Sequence, residues 1–570
     1  MKRVSSLFLI FLFLSLSAIY AGCYRDIIGG TNDPLVVETK YGLVKGQEDK
    51  NNTIVWKAIP FAKPPVEDLR WKAPRDPDSW SGVREKTEFC DICPQYTTDP
   101  NNISIVTGIG GSEDCLYLNI WRPNTADKFL PVYFWIHGGG NSIQLPRNSD
   151  LSGANLASRN NMVVISINYR LGPLGWLTHP ALRTGSAYDN SGNYGTLDII
   201  KALKWVKENI WAFGGNPCDV TVAGESAGGF DIFSLIISNV ARGIFQRAIV
   251  ESGAAKLATI ADGETYAQGI IIKLLIKDGK ASDVATAMAY LANMSNADVA
   301  GYLRSKSSPE IISLNSPSSG AMVFFPNLFP DGVVLPSNGY ATLDDGTYPN
   351  KVPIVIGSNK YETKLFLFSA PQFITVILGI ATPEVRELYM LANKYMSNLW
   401  TAGLDAVARK MAKYQKHVYV YRFNWGSGVG ADSVIPYPYN YALGGCHGSE
   451  IQFFFGNVDD TTGSLGRIMF TPQNSPGRFA LSNAIMDYLG KFARIGDPSC
   501  RLLELPVWAE WSNQLTGAPK GIKLDANLTD IQIEMSDEEF TVPGIMTELQ
   551  SEPRANEIMQ VMQQFSAFLL

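Results

Sequence analysis

Five residues, Gly224-Glu225-Ser226-Ala227-Gly228, constrain this chain more than any others. They follow a β-branched run, Val220 to Ala223, and lead into small residues suited to a helix start. A G-x-S-x-G pattern between a strand and a helix needs a tight, strained turn that lifts the serine hydroxyl clear of the sheet. The glycines permit that turn because a side chain there would meet neighbouring backbone. The helix N-terminus behind the serine also favours developing negative charge. Taken alone, the pattern is no more than a Gly-rich turn; its flanking strand and helix give it meaning.

The rest of the chain supplies the sheet that such a turn requires. Val132 to Ile136, Val163 to Ile167, Val220 to Ala223, Ala248 to Glu251, Pro353 to Ile356 and Val418 to Asn424 read as buried strands. Between them lie helical patterns. Leu197, Ile200, Leu203, Val206 and Ile210 step by three or four residues, which predicts a helix from about Thr196 to Phe213. Thr196 is the expected cap and Gly214 the expected stop. Strands alternating with helices give the expected class, α/β with a mostly parallel mixed sheet covered on both faces. Stretches around 260–350 and 365–415 are richer in helical pattern, and we expect insertions over the sheet's C-terminal edge. Length alone, 570 residues, suggests several domains. The absence of linkers or repeats favours one body over residues 23–570.

The N-terminus reads as an address. Lys2 and Arg3 precede an apolar run, Leu7 to Leu14, and small residues follow near Ala18 to Gly22. This is a secretory signal pattern over residues 1–22, too short to span a membrane comfortably. Ala21-Gly22-Cys23 resembles a bacterial lipobox, in which Cys23 is lipidated, although Tyr20 departs from the usual aliphatic residue. The alternative is ordinary cleavage nearby. An exported protein, secreted or held at the envelope by lipidated Cys23, is permitted disulfides. Cys90 and Cys93 have no second Cys pair or paired His beside them, so metal binding is not expected. A net charge of −6 argues against nucleic acid as a partner.

A second glycine run, His137-Gly138-Gly139-Gly140, follows the strand ending at Ile136. Backbone N–H groups there, with the amide of Ala227, can form an oxyanion hole for tetrahedral intermediates of acyl transfer. A serine hydroxyl also needs a general base and an acidic orienter. The chain has only four His. His137 belongs to the glycine run. His179 precedes Pro180 in a loop, and His417 precedes a strand. His447 lies in Gly444-Gly445-Cys446-His447-Gly448 after the later strands and is the best base. For the acid, Asp331 sits in a Pro-Asp-Gly turn. Glu362 follows a strand's C-terminal end, where sites in open α/β sheets lie, and is favoured.

Several ordered motifs resemble the type-B carboxylesterase/cholinesterase family over about Val36 to Asp497. They include Ala58-Ile59-Pro60-Phe61-Ala62, Ser112-Glu113-Asp114-Cys115-Leu116-Tyr117-Leu118-Asn119, Asn168-Tyr169-Arg170, Phe213-Gly214-Gly215-Asn216-Pro217 and the serine motif. The resemblance implies an α/β-hydrolase fold and hydrolysis of small-molecule carboxylic esters through an acyl-enzyme, without cofactor or metal. It implies Ser226 as nucleophile, Glu362 as acid, His447 as base, and Gly139, Gly140 and Ala227 as the oxyanion hole. It implies a Cys93–Cys115 disulfide. No Trp occurs between those cysteines, so the usual choline platform is missing and choline esters are not expected substrates. Two other readings share the fold: a lipase on aggregated lipid, and a non-catalytic adhesion or binding protein. A base that must be neutral predicts activity falling below about pH 6–7. Oligomeric state is not legible.

Overall fold

A computed structural model describes residues 33–99, 102–144, 151–317, 321–368, 370–428, 433–459, 465–499, 504–515 and 517–565. The expected leader and Cys23 lie outside the described residues.

Eleven strands form one sheet: β1 (Gln47–Asp49), β2 (Thr53–Pro60), β3 (Tyr117–Pro123), β4 (Leu130–Ile136), β5 (Val163–Ile167), β6 (Gly215–Glu225), β7 (Arg247–Glu251), β8 (Ile354–Asn359), β9 (Val418–Phe423), β10 (Gly521–Ala526) and β11 (Ile531–Ser536). Their spatial order is β11-β10-β9-β8-β7-β6-β4-β5-β3-β2-β1. Every pair from β5 through β10 is parallel, and antiparallel strands close both edges. This is the mixed, mostly parallel sheet expected.

Alternation along β4 shows why its run of residues is apolar throughout. Val132, Phe134 and Ile136 join one core with helices α1 (Tyr194–Asn209) and α2 (Ala227–Ile237). Tyr133 and Trp135 point the other way, into a core with helix α3 (Ser475–Ile495) and Phe453 to Phe455. A strand buried on both faces has no reason to alternate in polarity.

Local signals set the boundaries imperfectly. The helix expected from Thr196 begins at Tyr194, with Asn193 at the cap position, where its side chain bonds Phe329 and Asp331 rather than capping the helix. Thr196 lies inside the first turn, where its hydroxyl accepts from Trp176 Nε1 at 3.2 Å. The helix tightens into a 3₁₀ turn over Ile210–Phe213 and stops at Gly214, in the left-handed conformation at φ 79°. The central insertion holds helices Ile260–Lys277, Val284–Ala292, Asn296–Arg304 and Ser308–Ile312, each started by a reciprocal capping box. They share a core with Leu174 and Leu177, just beyond the C-terminal end of β5. A long helix, Pro383–Ala412, packs on β8 and β9.

Cys93 and Cys115 form a disulfide, Cα to Cα 5.1 Å. Cys218, unassigned from sequence, is also disulfide-bonded. Cys446 is a buried thiol, and Cys500 lies outside the described residues. Among the described residues, no helix is long and apolar enough to cross a membrane.

Candidate active site

Ser226 sits between β6 and α2 at φ 55°, ψ −121°, a conformation costly for any residue with a Cβ. Neighbouring backbone over-determines it. Ser226 N–H donates to the Glu251 carbonyl at 2.9 Å, and Phe230 N–H donates back to the Ser226 carbonyl at 3.1 Å. The end of β4, the parallel neighbour of β6, lies against the turn: a Cβ on Gly228 would stand 2.1 Å from the Ile136 carbonyl oxygen, and one on Gly224 2.7 Å. No side chain fits either position.

The glycine run leaves β4 against this turn. A Cβ on Gly138 would lie 3.0 Å from Ser226 Cβ. Gly139 and Gly140 take φ 102° and 63°. The Gly139 carbonyl accepts from Ser142 N–H and Ile143 N–H at 3.1 and 3.0 Å, closing the loop on itself. His137 braces it: its ring stacks on Tyr169 at 4.4 Å, and the Tyr169 hydroxyl donates to the His137 carbonyl at 2.7 Å. Ala227, the first residue of α2, follows the serine directly, and the Gly138 contact brings the glycine run against the same turn.

The base and the acid meet from different parts of the chain. Tyr361 N–H donates to the Gly445 carbonyl at 2.9 Å, and Asn359 Nδ2 to the Cys446 carbonyl at 2.7 Å. These bonds clip the His447 loop to the end of β8. His447 Nδ1 is then 2.7 Å from Glu362 Oε2. Glu362 is wholly buried, and its other oxygen accepts from Ser252 Oγ and Asn359 N–H, each at 2.7 Å. Phe366 and Trp400 flank the imidazole, each 5.2 Å away between centroids. The other candidates are elsewhere. His179 accepts from Ala181 N–H, His417 pairs with exposed Glu510, and Asp331 holds its own turn through Val334 and Leu335 N–H.

Sequence reading missed Glu450 and Ser252 here. Glu225 Oε1 lies 3.0 Å from His447 Nε2, although the two atoms are not aligned as a hydrogen bond. Glu450 accepts from Ser252 Oγ at 3.1 Å and from Asn359 Nδ2. Burial lowers the affinity of His447 for a proton, but Glu225 and Glu362 outweigh it and push its pKa up to about 9. Burial raises Glu225 to about 7 and Glu450, helped by its carboxylate neighbours, to about 8. The imidazole is thus more basic than a free histidine, so the acid limit of activity lies higher than the sequence suggested. Glu450, three residues after His447, was the available sequence signal.

The sequence profile of the carboxylesterase family matches residues 33–378 and 381–541. A para-nitrobenzyl esterase of Bacillus subtilis (strain 168) is 34% identical over 491 residues, covering 83% of this chain and 93% of that protein. A fumonisin B1 esterase of Sphingopyxis macrogoltabida is 32% identical, covering 76% of this chain and 77% of that protein. Among solved structures, a PNB esterase superposes with TM-score 0.70 at 28% identity over 90% of this chain and 99% of its own. A carboxylesterase of Geobacillus stearothermophilus gives TM-score 0.68 at 29% identity over 88% and 98%. The chain therefore belongs to the carboxylesterase family of α/β hydrolases and is a carboxylic-ester hydrolase.

Proposed function

We propose that Ser226, His447 and Glu362 hydrolyse small uncharged esters through an acyl-enzyme. The observation carrying this reading is the 2.7 Å contact between Glu362 and His447, beside a serine held at φ 55° on the elbow. His447 Nε2 takes the Ser226 proton as Oγ attacks the ester carbonyl. The amides of Gly139, Gly140 and Ala227 receive the oxyanion. Protonated His447 then gives its proton to the leaving alcohol, and the same imidazole activates water to release the acid. Glu362 fixes the ring through Nδ1 and stabilises its charged form. No step calls for a cofactor.

Three buried carboxylates around one imidazole disfavour an anionic substrate, while Phe366 and Trp400 offer apolar surface beside the base. Aryl esters such as those named for the para-nitrobenzyl relative suit that surface. A fluorophosphonate probe tests the assignment. The wild type should label at Ser226 and hydrolyse p-nitrophenyl esters, and Ser226→Ala should do neither. Equal labelling of both proteins refutes the nucleophile. Export is part of the same proposal, with cleavage before Cys23 and lipidation of its thiol. The intact mass of the protein purified from its native host tests it, since an unprocessed chain or an unmodified Cys23 rejects lipidation.

A further inference from the structure

A cavity of about 300 Å³ lies apart from the serine, on the far side of the glycine run. None of Ser226, Glu362 or His447 lines it, whereas His137 and Gln144, at either end of that run, do. Its aromatic walls come from Trp121 on β3, Trp135 on β4 and Phe89 at the rim. Lys57, on β2, and Lys50, in the turn between β1 and β2, also line it, and Lys50 Nζ donates to Asn457 Oδ1 at 3.5 Å.

Two features define what the cavity would accept. The first is charge. Two ammonium groups face one carboxylate, Asp49, and Asp49 Oδ2 is already engaged by Trp121 Nε1–H at 3.1 Å. Lys57 makes no ion pair among the described residues, and its Nζ rests 4.7 Å above the Phe89 ring. The lining is therefore positive in a protein whose net charge is −6. The second is shape, since the volume is at the small end for ligand sites and the walls are flat rings.

We propose that this cavity is a second, non-catalytic site for a small aryl carboxylate. Its ring lies between Trp121 and Phe89, and its carboxylate meets Lys57 and Lys50. Carboxylic acids are what ester hydrolysis releases, so the enzyme's own products supply the class. Only that choice of acid leans on the proposed function; the site itself does not involve Ser226.

Benzoate and its cationic counterpart benzylamine serve as probes in isothermal titration calorimetry. Wild-type protein phosphonylated on the nucleophile should still bind benzoate at one saturable site, and benzylamine at least about tenfold more weakly. Lys57→Met and Phe89→Ala, both at the partly exposed rim where folding is not at stake, should each weaken benzoate by about tenfold. Loss of benzoate binding on phosphonylation, equal affinity in the two variants and wild type, or equal binding of benzylamine overturns the proposal. The variant comparison needs no modified serine, so it stands even where the nucleophile assignment fails.

Discussion

Replacing Glu225 with Gln removes a charge from the base without removing volume. In the folded protein His447 Nε2 faces Glu225 at 3.0 Å and Nδ1 faces Glu362 at 2.7 Å. Both carboxylates favour the imidazolium, and together they outweigh burial to push His447 up to about 9. Two unit charges ~4 Å apart at an effective dielectric of ~20 interact by ~4 kcal/mol. At 1.36 kcal/mol per pH unit, the ceiling on Glu225's share is about 3 units. Glu225 is raised only to about 7, so it is ionised where the imidazole titrates, and the expected downward shift of the imidazole is about 1–3 units. The assay is kcat/KM against pH on a soluble p-nitrophenyl ester, whose acid limb reports the base in the free enzyme. In Glu225→Gln that limb should move to lower pH, and the plateau rate should fall because Glu225 also stabilises the imidazolium formed during attack. An unmoved limb, or one displaced to higher pH, refutes the assignment of Glu225 as the group that tunes His447.

Three further outcomes are expected. Gly228→Ala would place a methyl 2.1 Å from the Ile136 carbonyl oxygen, so the elbow must shift; kcat should drop by at least about a hundredfold while circular dichroism stays native. Removing the Cys93–Cys115 disulfide, which spans a sequence separation of 22, should cost about 3 kcal/mol in denaturant unfolding under oxidising conditions. Lys364 is buried beneath Tyr361, and burial pulls its pKa down to about 7. The unfolded chain then holds a proton that the folded chain lacks between about pH 7 and 10.5, so this group's contribution to stability falls as pH is lowered through that window. Lys364→Met should accordingly gain thermal stability over wild type at pH 7 and lose most of that advantage near pH 10; an advantage independent of pH rejects the buried-charge account.

The sequence by itself determined whatever depends on neighbours a few residues away. The serine elbow, the glycine run and the strands buried on both faces are local matters of sterics and polarity. The G-x-S-x-G spacing marks the elbow in five residues, although the carbonyl that forbids a side chain at Gly228 comes from β4, distant in the chain. His447 emerged by elimination among four histidines. The acid was different. Asp331 and Glu362 were both candidates; a position at a strand's C-terminal end leaned towards Glu362, and the resemblance to a known family strengthened that before the structure brought Glu362 to His447. Tertiary structure alone decided that contact, because Glu362 reaches His447 across 85 residues through the register of β8 and β9 and the clip of the 359–361 segment onto the 445–446 carbonyls. It also brought Glu225, Glu450 and Ser252 to the same imidazole, joined Cys218 in a disulfide, and moved the helix cap from Thr196 to Asn193. The physical reason is range. Backbone sterics act over a few residues, whereas burial and charge coupling depend on which strand ends the fold places side by side, and these set how basic the catalytic histidine is.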